Sequence, residues 1–151
     1  MSYRLRLLAY SSAVSTYVLM IIGSYVSSSG SGDACPDWPL CNGQIIPRLT
    51  GPVLIEYTHR LFALLVGVLV TVMLLTVWLK FRSEKSVVVL SAMSFILLMA
   101  QILLGMVTVR TGLSPPVVAA HLGLASAVFG TLLINAVAVR RISQSETQLA
   151  R

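Results

Sequence analysis

The chain has 151 residues, of which 56% are hydrophobic and 11% charged, and its mean hydropathy is +0.87. Ordinary soluble domains carry about 25% charged residues, so this composition excludes a soluble globular domain, a disordered chain and a small disulfide scaffold, and fits a polytopic membrane protein. The net charge of +6 raises nucleic acid as a partner, but the placement of the charges argues against it.

Four apolar stretches follow in chain order, at about 7–26, 52–79, 87–109 and 115–139. At ~1.5 Å rise per residue each is long enough to cross a hydrocarbon core of ~30 Å. Pro52 and the pair Pro115 and Pro116 fall in first turns, where proline is tolerated. The expected fold is an all-α membrane protein, a four-transmembrane-helix bundle occupying 1–151 as one domain. The first stretch has a basic start but no A-x-A cleavage site, and reads as a retained helix rather than a signal peptide.

Eight of the eleven basic residues cluster on one side: Arg4 and Arg6, then Lys80, Arg82 and Lys85, then Arg140, Arg141 and Arg151. The positive-inside rule puts both termini in the cytoplasm of a prokaryotic plasma membrane and the long 27–51 connection outside. The basic surplus is therefore a topology signal, with membrane lipid as partner and no nucleic acid.

That connection is rich in Gly, Ser and Pro and holds both cysteines, Cys35 and Cys41. In an oxidising compartment a disulfide is the default. It is either a staple or a redox pair that exchanges with another thiol protein, and spacing does not separate the two. Trp38 is placed to anchor at the headgroups or to cover something bound beneath the loop.

The only two histidines, His59 and His121, lie seven residues after Pro52 and six after Pro115 in the second and fourth spans. Both spans run in the same direction, so both imidazoles lie about 9–11 Å inside the membrane's outer half. Ionisable groups there are costly and mark function. Two at one depth can take the two axial positions of a haem iron, or each can hydrogen-bond a neighbouring helix. Zinc is disfavoured, because Glu56 is the one further ligand at that level.

Glu56 stands three residues before His59 and shares its helix face. It either pairs with Arg60, as an interfacial ion pair, or presents a carboxylate to a bound group. Gly23 and Gly30 are seven apart, as are Gly105 and Gly112, and each pair is followed by a proline and a histidine. This weak repeat predicts two helical hairpins related by a pseudo-twofold axis. Val118 stands where the second hairpin would carry the acid, which implies one-sided chemistry. Gln101 and Asn135 read as interhelical hydrogen-bond glue, with Gln101 able to face a ligand. Arg110 reads as a partner for carboxylates or an interfacial anchor. Gly67, Gly105, Gly123 and Gly130 read as close-packing positions.

The runs GSGDACPDWPLCNGQIIP, IEYTHRLFALLVG, QILLGMVTV and PPVVAAHLGLA resemble the haem A synthase family, from about Gly23 to Leu133. The resemblance implies oxidation of the C8 methyl of haem O to the formyl group of haem A, for terminal oxidases. It implies that Glu56 is the catalytic acid, that His59 and His121 hold the haem iron, and that Cys35 and Cys41 are the loop pair of many members. The long form of the family is two fused four-helix bundles, the second carrying haem B. This chain corresponds to one bundle, so a homo-oligomer is expected to replace the fused pair, and haem O synthase or a terminal oxidase would be partners. Ser27 stands where members often carry Arg. Competing readings are a b-type cytochrome, a haem O carrier without chemistry, and a membrane thiol-disulfide oxidoreductase using the cysteines.

Overall fold

The computed structural model describes residues 3–149, with side chains described through Ile142; Arg151, counted above among the clustered basic residues, lies outside the described residues. Four helices are present: α1 (Tyr3–Ser28), α2 (Gly51–Lys80), α3 (Lys85–Arg110) and α4 (Pro115–Leu149). All four are long and apolar enough to span a membrane, and the chain is an integral membrane protein. Each helix runs past its apolar stretch. Arg4 and Arg6 lie inside α1, and Arg140 and Arg141 inside α4, because long basic side chains keep their charge in water while the backbone stays helical.

The packing order is cyclic: α1 contacts α2 and α4, and α3 contacts α2 and α4. Thus α2 and α4 occupy opposite corners of the bundle. The turn between α2 and α3 is short, at 81–84, so these neighbours are antiparallel. Gly32 in the α1–α2 loop packs on Leu113 in the α3–α4 turn, and a Cβ on Gly32 would come within 2.9 Å of the Leu113 Cδ1. Both connections therefore sit at one end of the bundle, and Gly32 makes room for the side chain that joins them.

The tightly packed core lies toward the other end. It consists of Leu5, Ala9 and Ala13 from α1, Val66, Val70, Met73 and Val77 from α2, Val87 and Leu98 from α3, and Val128, Leu132, Ala136 and Val139 from α4. On α1, α2 and α4 these recur three or four residues apart, and on α3 the buried Ser91 and Ser94 fill the same spacing between Val87 and Leu98; Ser12 and Thr16 are the buried small polar residues of α1. Small residues let helix backbones approach in lipid, where dispersion rather than water release holds helices together. The hydroxyls of Ser12, Thr16 and Ser94 donate back to the carbonyl four residues earlier, at 2.8 Å in each case, so these three are paired within the apolar interior. Asn135, fully buried, donates from Nδ2 to Ser91 Oγ at 2.9 Å and reaches Met73 Sδ at 3.8 Å, joining α4 to α3 and α2 as expected of interhelical glue.

Three of the four glycines read as close-packing positions are not: a Cβ on Gly67, Gly123 or Gly130 would meet nothing within 4 Å. The space beside these three glycines is open, so no neighbouring helix packs against them there. Gly105 has a different task, described below.

Candidate functional site

Among the described residues, those buried at the loop end are few: Val26, Thr108 and Glu56 in the helices, and Ser31, Gly32, Cys35, Cys41 and Pro47 in the connection. The apolar core stops short of the histidines. His59 on α2 lies over Gly23 of α1, and His121 on α4 lies over Gly105 of α3. A Cβ on either glycine would stand 3.0 Å and 3.1 Å from the respective imidazole Cε1. Each ring thus rests in a cradle that any other residue would fill. The same arrangement occurs once in each hairpin, which is the pseudo-twofold relation expected from the repeat. Gly23 and Gly105 were legible as repeat markers, but their contact with the imidazoles was not.

The two imidazoles stand on helices at opposite corners of the bundle, each on the face that meets the neighbouring helix of its hairpin. Both Nδ1 atoms are buried without a hydrogen-bond partner. Unpaired buried polar atoms are rare and call for a partner. Gln101, one turn before Gly105 on α3, brings its Nε2 to 3.3 Å from His121 Nε2, so it faces the site. The position one turn before Gly23 is Leu19, and the symmetry fails there. It fails again at the acid. Val118 precedes His121 as Glu56 precedes His59, and Leu122 stands where Arg60 does.

Glu56 is 5% exposed. Its Oε1 accepts a hydrogen bond from Arg60 Nε at 2.8 Å. The ion pair considered from sequence is present, with the acid buried and Arg60 partly so, and Arg60 has further partners. Its Nη1 donates to the carbonyls of Asp37 (2.8 Å) and Leu40 (2.6 Å), and its Nη2 to that of Cys35 (2.7 Å). The guanidinium fork, with five donors in one plane, plugs the underside of the loop. Among the described residues Glu56 Oε2 accepts no hydrogen bond, and no three His, Cys, Asp or Glu residues converge as a metal-binding group.

The loop has its own fold. Cys35 and Cys41 form a disulfide, and both are buried, at 0% and 1% exposure. Asn42 and Gly43 have positive φ (53° and 72°), and Cys41 pairs with Gln44 across them. Successive left-handed residues suit Asn-Gly. The Asp37 carboxylate accepts from the N–H of Asn42 (2.6 Å) and of Gly43 (2.7 Å). These bonds, that from Gly43 foremost, hold Asp37 below its ordinary value of 3.8. Trp38 is exposed on this loop, and Arg110 is exposed at the end of α3 that faces it, without a hydrogen bond among the described residues.

The fold and site define a membrane four-helix bundle with a symmetric pair of inward histidines and one asymmetric acid–arginine pair. The chain belongs to the COX15-CtaA family, described as cytochrome oxidase assembly protein, matched over residues 6–52 and 49–151. It is similar to haem A synthase of Bacillus pumilus (strain SAFR-032), 35% identical over 159 aligned residues, covering 100% of this chain and 50% of the relative. It is also similar to haem A synthase of Bacillus mycoides (strain KBAB4), 32% identical over 139 residues, covering 91% of this chain and 45% of the relative. The chain spans about half the length of the curated relatives it matches.

Proposed function

We propose that the chain holds haem O between His59 and His121 and acts in haem A synthesis, oxidising the C8 methyl to a formyl group. The observation that carries this reading is the doubled histidine-over-glycine arrangement with an acid beside only one of the two histidines. The residues fit the group: each imidazole has a buried, unpartnered Nδ1, each lies against a glycine, and the packed core ends beside them. Paired imidazoles hold the iron, while the single acid makes one edge of the site unlike the other.

Methyl to formyl is a four-electron change, R–CH3 + H2O → R–CHO + 4 H⁺ + 4 e⁻, with a quinone or a haem protein as acceptor. Held by both His59 and His121, the group would offer no free iron position, and water would supply the oxygen. The bound group supplies the oxidisable methyl and a path for electrons. Glu56 stabilises positive charge at that edge and takes a proton on Oε2, with Oε1 fixed by Arg60. Arg110, exposed at the same end, would pair with the carboxylates of the substrate. The topology read from the charges places this end, and the disulfide loop, on the extracytoplasmic side. A second copy of the chain, haem O synthase and a terminal oxidase are the partners that go with this proposal.

The buried cysteines favour the staple over a thiol-exchange reading, because an attacking thiolate needs access to a sulfur. The test is the identity of haem extracted from protein made in cells that supply haem O. Haem A or its hydroxylated precursor is the expected result, and Glu56→Gln should keep haem while stopping conversion. Haem O or haem B alone from the intact protein would instead support a carrier or a cytochrome.

A further inference from the structure

Arg60 makes four hydrogen bonds, one to Glu56 and three to loop carbonyls at residues 35, 37 and 40. Those three carbonyls belong to the segment closed by the Cys35–Cys41 disulfide. One planar cation is therefore the shared partner of the buried carboxylate and the covalently closed loop. The two sets of bonds are not independent. The guanidinium is rigid, so a shift of the carbonyls must be followed by the fork or break its bonds, and Nε moves with the fork. The second hairpin has nothing comparable, since its corresponding residues are Val118 and Leu122 and the α3–α4 turn is short.

We propose that Arg60 is a positioning residue that carries the fold of the disulfide loop to Glu56: the closed loop presents three carbonyls, these orient the guanidinium, and the guanidinium fixes Oε1 and leaves Oε2 toward the substrate edge. The disulfide then matters to the chemistry as the clamp that keeps the carbonyls in register, with no change of its own oxidation state. This rests on the functional reading above for its consequence, though not for the coupling itself.

The test uses the whole 151-residue chain in detergent, with Arg60→Lys, Asp37→Asn and Glu56→Gln beside the unsubstituted chain. Lysine keeps the charge but lacks the fork. Asparagine at 37 loosens the loop's own turn and keeps the Asp37 backbone carbonyl that Arg60 bonds, while removing a carboxylate charge that acts on Arg60. Three readouts are taken: haem O conversion with its pH profile, the low-spin signature of the bound haem, and the rate at which dithiothreitol opens Cys35–Cys41, followed by alkylation. Arg60→Lys should retain the haem signature, lose about 10-fold or more in conversion with a displaced pH profile, since an ångström of misplacement is worth up to ~100-fold, and open the disulfide faster. Asp37→Asn should do the same more weakly. Glu56→Gln should stop conversion and leave disulfide opening within about twofold of the unsubstituted rate, because the three carbonyl bonds stay in place.

Arg60→Lys with unchanged conversion, pH profile and disulfide opening would overturn the proposal. So would an Asp37→Asn chain whose disulfide opens faster while its conversion and pH profile stay unchanged, because a loosened loop would then leave Glu56 unaffected. Failure of the unsubstituted chain to convert haem O would count against the functional reading alone. The disulfide rates of Arg60→Lys and Glu56→Gln would still decide whether Arg60 holds the loop. Should Arg60→Lys fail to fold, Asp37→Asn carries the same comparison.

Discussion

Gly23→Leu tests the cradle directly. A Cβ at position 23 would stand 3.0 Å from His59 Cε1 and 3.4 Å from its Nδ1, against ordinary carbon contacts of ~3.5–4.0 Å. In Gly23→Ala the ring must give by a few tenths of an ångström. A rotation of about 30° from its rotamer costs ~0.5–1.5 kcal/mol, or about a 2- to 12-fold loss of haem affinity. The same substitution removes a helix-interior glycine, which favours the folded helix by ~0.8–1.0 kcal/mol. Alanine is therefore expected to weaken haem binding while leaving the bundle as stable as before or more so. Leucine, with three further carbons aimed at the ring, should abolish low-spin haem. The assay is a haem titration of purified protein, followed by visible absorption, alongside thermal unfolding of the haem-free chain. Gly105→Leu is the symmetric control, acting on His121 across 3.1 Å. If Gly23→Leu bound haem with unchanged affinity and spectrum, His59 would not be the ligand in this orientation and the cradle argument would fail.

Three other outcomes follow from the geometry. Asp37 has a depressed folded value, so its contribution to loop stability is present above its ordinary value of 3.8 and is lost as pH falls through the lower folded value; limited proteolysis of the loop should stay slow from neutral pH to about pH 4, and an onset near pH 5 shared by Asp37→Asn would contradict this. Gln101→Leu frees His121 Nε2 from a 3.3 Å contact, and if iron binds through that nitrogen, affinity should rise by about fivefold, the worth of ~1 kcal/mol for a net hydrogen bond; a fall would mean that Gln101 supports the bound group instead. Asn135→Leu removes the bond to Ser91 at the far end of the bundle, and should cost about 0.6 kcal/mol or slightly more in unfolding free energy, the average for such membrane hydrogen bonds, with no effect on haem; a changed haem spectrum would show that the two ends are coupled.

The sequence by itself determined the four helices, because hydrocarbon forces every buried backbone group into local hydrogen bonds and length then reveals each crossing. It also determined that His59 and His121 lie at similar distances from the starts of their helices and that Glu56 stands one turn from His59, since helical rise and pitch are fixed. The pairing of Asn135 with neighbouring helices was legible for the same reason: an amide in lipid needs a partner. Tertiary structure alone decided that α2 and α4 stand at opposite corners, that Gly23 and Gly105 receive the imidazoles, and that the space beside Gly67, Gly123 and Gly130 stays open. It alone turned Arg60 from one half of an i,i+4 pair into the link between the acid and the loop. These outcomes depend on which helix faces meet and on where a 22-residue connection between α1 and α2 folds back. Periodicity fixes a residue's direction on its own helix but carries no information about what stands opposite it.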